Sequence, residues 1–142
     1  LLSAAGENGK AIASLKRPNP WEEDTVTRIQ SDLFAAVPDE KFDIIVSNPP
    51  YIESETIKTL SQEVQKEPNI ALDGGVDGLD FYKIIINNST NYLKDNGMLF
   101  LEIGYNQKNA LFNLINNSNY FCDPICLKDF SGNDRVIICK KI

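Results

Sequence analysis

The apolar positions of this chain fall into short continuous runs that end abruptly at turn residues, the pattern of buried strands in an α/β sheet. FDIIVSN (residues 42–48) is apolar through its middle, as a strand covered on both faces should be. Two prolines follow at once in SNPPYI (residues 47–52). Proline fixes φ and has no backbone N–H, so Pro49-Pro50 ends the strand in a stiff, defined turn. GMLFLEIG (residues 97–104) repeats the buried-strand pattern, and TVTRIQ alternates as a short strand that closes at Ser31-Asp32-Leu33-Phe34. Near the end, PICLKDF and DRVIICKK flank the turn Ser131-Gly132-Asn133 and predict an antiparallel pair.

Helical spacing connects these runs. Leu1, Ala5, Ile12 and Leu15 suggest a first helix, weakened by Gly6 and Gly9, followed by the polar, proline-punctuated linker KRPNPWEED. Residues 53–67 are polar and helix-prone, and ALDGGVDGL (residues 71–79) is a glycine-rich loop. A helix beginning at Asp80 is expected to carry Phe81, Ile84, Ile85, Tyr92 and Leu93 and to stop at Asp95-Asn96-Gly97, with Gly97 in the left-handed cap conformation. Residues 107–117 read as an amphipathic helix through Leu111, Leu114 and Ile115. This alternation predicts an α/β sheet finished by an antiparallel hairpin, without internal repeats.

Composition narrows the function. The 142 residues, 42% hydrophobic and 24% charged, suit one globular domain spanning 1–142. A formal charge of -6 disfavours duplex nucleic acid, whose binding rests on phosphate neutralisation. No apolar run approaches a membrane span, and the opening LLSAAGENGK lacks the signal-peptide pattern, so a cytoplasmic protein is expected. The chain has no histidine, which removes imidazole acid–base catalysis, and no metal site is expected. Cys122, Cys126 and Cys139 contain no CxxC pair and read as buried free thiols. Residues 73–78 echo a calcium loop, but Gly75 occupies a ligand position and Ile84 stands where the bidentate glutamate belongs. Gly6-Glu7-Asn8-Gly9-Lys10 misses a P-loop by spacing and by the absent Ser/Thr.

The chemistry gathers at SNPPY. In open α/β sheets ligands collect at the carboxyl ends of the strands, where this turn is expected to sit. The Asn48 side-chain carbonyl and the Pro49 carbonyl, held by the rigid Pro50, can accept both hydrogens of one planar –NH2 group while the Tyr51 ring stacks on its plane. Such a site recognises an amide or an exocyclic amine. It fixes a weakly nucleophilic nitrogen before an electrophile, so proximity and electrostatics carry the catalysis without a strong base.

SNPPYI, EPNIALDGGVDGLDFYK and LKDFSGNDRVIIC, three blocks in this order from about residue 30 onward, resemble the HemK/PrmC family of protein-(glutamine-N5) methyltransferases. The resemblance implies a Rossmann-like, S-adenosylmethionine-dependent methyltransferase sheet and methylation of the glutamine in the GGQ motif of peptide-chain release factors. It implies that Asn48, Pro49 and Tyr51 are catalytic, that Pro50, Glu67 and Pro68 join them around the substrate, and that Asp32, Leu33 and Asn48 meet the cofactor. Asp32 is either that cofactor acid or an N-cap or turn aspartate, and Glu67, Pro68 and residues 73–78 form either a substrate loop or a surface loop. Arg135 is expected to be structural, paired with Asp129 or Asp134. NPPY alone is also similar to adenine-N6 DNA and guanine-N2 RNA methyltransferases; the EP-x-x-AL-x-GG-x-DGL block selects the glutamine branch. A non-catalytic, truncated binding or dimerising domain is the third alternative.

The resemblance also has a gap. The family's glycine-rich turn after the first strand, its ribose-binding acid and its N-terminal helical substrate domain have no counterpart in the sequence, so the first strands are expected to be missing. Little activity is expected of the chain alone, and the strand before NPPY is expected to have an open edge that self-association covers.

Overall fold

The computed structural model describes residues 2–3, 11–17, 25–59 and 72–142, with side chains from residue 29 onward. Seven strands form one mixed sheet: β1 (Leu2–Ser3), β2 (Ala11–Arg17), β3 (Thr25–Ser31), β4 (Phe42–Asn48), β5 (Leu93–Glu102), β6 (Phe121–Lys128) and β7 (Asp134–Lys141), in the order β3-β2-β1-β4-β5-β7-β6. Among the described residues three helices accompany it: α1 (Ser54–Ile57), α2 (Asp80–Ser89) and α3 (Lys108–Ser118). β4 runs parallel to β1 and β5, and β7 runs antiparallel to both β5 and β6. This is the expected Rossmann-like α/β sheet closed by an antiparallel hairpin.

The core lies on one face of the sheet. Ile45, Leu99, Leu101, Ile137 and Cys139 cluster with Tyr82, Ile85 and Ile86 of α2 and with Leu111 and Ile115 of α3. Each fully buried aliphatic side chain contributes roughly 1.5–3 kcal/mol. The opposite face follows from the strict alternation of strand side chains. Ile44, Val46, Met98, Ile125 and Leu127 are exposed there. Ile44 pairs with Met98, Val46 with Phe100, Phe100 with Ile138, and Ile138 with Ile125, so these residues make one apolar band across four strands.

Several expectations need correction. The described residues of the expected first helix are strand instead, β1 at residues 2–3 and β2 at residues 11–17, and residues 4–10 lie outside the described residues. Thr25–Ser31 offers Ala11–Arg17 a full ladder of partners, a tertiary pairing that overrides the local helical spacing. The first two residues of the expected linker, Lys16 and Arg17, therefore belong to β2. FDIIVSN is a strand, but it is covered on one face only, with Ile44 54% and Val46 36% exposed. Its second edge is not fully open, since β1 pairs with Ser47 and Asn48.

α2 stops at Ser89, short of the predicted end. Asn88, Ser89 and Thr90 turn their side chains back onto the carbonyls of Ile84, Ile86 and Asn87, and this competition with the backbone ends the helix. Tyr92 and Leu93 thus lie outside it, and Leu93 opens β5. The irregularity expected at Gly97 is carried by Asn96, at φ 62°, inside a register shift of β5 against β4. β6 begins at Phe121, before Pro124, and is bulged around Asp123 at φ 52°. Of the cysteines only Cys139 is buried, its thiol pushed up to about 12 by desolvation; Cys122 and Cys126 are half-buried and also free.

Candidate active site

β4 and β5 are parallel and in register through Ser47 and Leu101, so the turn after Asn48 and the segment after Glu102 leave the sheet at the same edge. Asn48 is exposed, Pro49 and Pro50 are buried, and Tyr51 is half-buried against the core. The carbonyls and the exposed amide side chain of the turn are thereby held on a rigid base.

The rest of the turn is laced to the glycine loop. Ile52 and Asp73 form a parallel bridge, with Ile52 N–H donating to the Leu72 carbonyl at 3.0 Å and Gly74 N–H to the Ile52 carbonyl at 2.8 Å. Ser54 N–H donates to the Gly75 carbonyl at 3.0 Å, and the Ser54 hydroxyl donates to the Asp73 carboxylate at 2.7 Å. That hydroxyl, with the Gly75 N–H, holds the Asp73 carboxyl below its usual range. The closeness demands glycine: a Cβ on Gly74 would stand 2.8 Å from Tyr51 Cα, and one on Gly78 only 2.5 Å from the Tyr51 carbonyl oxygen.

Gln107 closes the arrangement. Its Oε1 accepts from Gly104 N–H at 2.9 Å, and its Nε2 donates to the carbonyls of Tyr51 at 3.0 Å and Gly78 at 3.1 Å. Sequence reasoning missed this role and saw only a helix start. The available signal was Gly104-x-x-Gln107 directly after a buried strand: a polar side chain there must find partners when the helix docks.

β3 runs antiparallel to β2, β2 antiparallel to β1, and β1 parallel to β4, so β3 and β4 point the same way. Asp32 and Asn48 therefore leave the sheet at one edge, three strand spacings or about 14 Å apart. Asp32 is exposed, and the side chain that stabilises its turn is Ser31, whose Oγ accepts from Ala36 N–H at 2.8 Å. The Asp32 carboxylate is thus not used as the cap. Leu33, at φ 48°, turns its side chain toward the core. Arg135 is structural: Nε and Nη2 donate to Asp129 at 3.2 and 3.0 Å, and Nη1 donates to the Ile103 carbonyl at 3.2 Å. Asp134 pairs instead with Lys128. Glu67 and Pro68 lie outside the described residues, as does residue 71 of the glycine loop.

The turn has what the recognition of a planar –NH2 group requires: an exposed Asn amide, a proline carbonyl on a stiff backbone and an adjacent aromatic ring. A family model described as Eco57I restriction-modification methylase matches residues 7–121. The release factor glutamine methyltransferase of Clostridium botulinum is 47% identical over 122 residues, which are 84% of this chain and 43% of the relative. That of Geobacter sulfurreducens is 40% identical over 128 residues, 89% of this chain and 45% of the relative. The chain thus spans less than half the length of these curated relatives. The crystal structure of a release factor-specific protein-(glutamine-N5) methyltransferase from Alicyclobacillus acidocaldarius is 28% identical and covers 71% of this chain and 49% of its own, with a TM-score of 0.46.

Proposed function

The chain belongs to the Eco57I restriction-modification methylase family, and on that premise we propose that it is the amide-holding part of a protein-(glutamine-N5) methyltransferase. The observation that carries this reading is the Asn48–Pro49–Pro50–Tyr51 turn, rigid at its base and exposed at Asn48, at the carboxyl edge of the parallel strands. In this reading the Asn48 side-chain oxygen and the Pro49 carbonyl accept the two N–H bonds of a glutamine side chain. Tyr51 packs on the amide plane, and Pro50 keeps the pair of acceptors at fixed spacing. With both hydrogens engaged, the nitrogen is held in one orientation and needs no strong base, in agreement with a chain that contains no histidine.

S-adenosylmethionine is the expected cofactor and supplies an electrophilic methyl group when bound. The residues at the sheet edge fit its elongated shape: the exposed Asp32 carboxylate suits an adenine amino group, Leu33 lies beside it, and Asn48 stands about 14 Å away at the reacting end. The substrate is the GGQ glutamine of a peptide-chain release factor, and Glu67 and Pro68 complete its binding loop. Such a substrate places the reaction in the cytoplasm, and among the described residues no helix is long and apolar enough to cross a membrane. We assign residues 1–142 to a single unit, the C-terminal portion of the catalytic domain. The largely unpaired β1 side of β4 and the apolar face beside it favour self-association of the isolated chain.

The family description favours one second reading, amino methylation of a nucleic-acid base, which the charge of -6 opposes. The test measures transfer of labelled methyl from S-adenosylmethionine by the chain, and by a version extended to the length of its relatives. The acceptors are a Gly-Gly-Gln peptide, its Gly-Gly-Asn counterpart and an oligonucleotide duplex. Label in the Gly-Gly-Gln peptide alone is the expected result for the extended form. Label in the duplex, with none in the peptide, would replace this reading with the second.

A further inference from the structure

We propose that Gln107 is a positioning residue whose side-chain amide sets the distance between the NPPY turn and the glycine loop, and so the orientation of the Pro49 carbonyl toward the substrate amide. This rests on the reading of the turn given above.

Gln107 is 8% exposed, and its side chain joins Gly104, just past the end of β5, to two segments that are remote in sequence: Gly78 in the glycine loop and Tyr51 in the turn. Both Nε2 hydrogens are spent on carbonyls and Oε1 is spent on an N–H, so the amide is matched donor for acceptor. The space around it is closed to other shapes. A Cβ on Gly78 would lie 2.8 Å from Nε2, and one on Gly104 would lie 3.0 Å from Oε1.

The link to function is conformational. Pro50 has a fixed φ, so only its ψ and the φ and ψ of Tyr51 remain soft between the Pro49 carbonyl and the Tyr51 carbonyl that Gln107 grips. Holding the second therefore aims the first. A residue that only filled the core would not need two donors and an acceptor in this order.

The test compares Gln107→Met, which removes donors and acceptor, with Gln107→Glu, which keeps an acceptor for Gly104 but offers no hydrogen to Tyr51 or Gly78 while ionised. Site-resolved hydrogen exchange is read as protection factors on the chain. Both variants are expected to lose protection about 10- to 100-fold at the Ile52 and Gly74 amides, while Gln107→Met alone loses it at Gly104. The Ile138 amide in β7 should be unchanged. Unaltered exchange at Ile52 and Gly74 would overturn the proposal. So would loss of protection at Ile138 in both variants, since Gln107 would then support the fold as a whole. In the extended protein, the KM for the Gly-Gly-Gln peptide is expected to rise while that for the methyl donor stays constant, and unchanged peptide kinetics in both variants would overturn the positioning role. A wild-type protein that methylates no peptide would reject the functional reading and leave the exchange result standing.

Discussion

Ser54 donates its hydroxyl hydrogen to the carboxylate of Asp73 at 2.7 Å, tying the first residue of α1 to the partner of Ile52 in the loop bridge. The Asp73 carboxyl is held below 3.8 first by this bond and then by the Gly75 N–H. A carboxyl with a depressed folded-state pKa stabilises above its unfolded value and loses that contribution as pH falls through the folded one. Acidification below about pH 4 is therefore expected to loosen the joint of turn and loop before the sheet. NMR titration of the Asp73 side-chain carbon checks this. A midpoint at or above the ordinary value would contradict it.

Gly78 and Gly132 both have positive φ, 68° and 86°, yet only Gly78 is crowded. Alanine at either position carries the cost of a left-handed residue, of order 1 kcal/mol or more. At Gly78 the added carbon also meets the Tyr51 carbonyl oxygen at 2.5 Å, whereas at Gly132 it meets nothing within 4 Å. Gly78→Ala is expected to destabilise by about 2–4 kcal/mol and Gly132→Ala by about 1 kcal/mol. Denaturant melts of the two variants give the comparison, and equal losses would mean that the approach to Tyr51 carries no energy.

Tyr82 is fully buried and donates its hydroxyl to the Glu102 carbonyl at 2.7 Å, at the end of the strand that faces the turn. Burial pushes this phenol far above its usual range. Tyr82→Phe leaves that carbonyl without its donor and is expected to cost about 1–3 kcal/mol. Thermal unfolding of the wild type and the variant measures the loss.

The strands around the site were legible because burial and turn chemistry coincide in them. FDIIVSN followed by two prolines, and DRVIICKK after Ser-Gly-Asn, carry both signals, and the structure has strands at both places. The end of α2 was not legible, because Ile85, Tyr92 and Leu93 keep helical spacing across a boundary set by short polar side chains returning to the backbone. β2 was hidden for a different reason: its strand state comes from pairing with β3, a tertiary choice that overrides a local helical pattern. In the site, the NPPY residues announced themselves by type. Gln107 did not, since a glutamine beside a helix start acquires its meaning only from carbonyls 29 and 56 residues away.

The exposed face of the sheet makes the last prediction. Ile44, Val46 and Met98 leave aliphatic carbon in water, and on its β1 side β4 is paired only at Ser47 and Asn48 among the described residues. An apolar face that adjoins a largely unpaired strand edge is a template for a second strand. The chain at high concentration is therefore expected to associate in sedimentation velocity, with a weight-average mass that rises with concentration. Val46→Lys and Ile44→Lys each place a charge on that face without touching the buried Ile45 and should return the chain to the monomer. The extended form should also remain monomeric if the residues its relatives carry beyond the matched stretch cover the same face. A wild-type chain that stays monomeric at every concentration would show that the edge and the face are protected within one molecule.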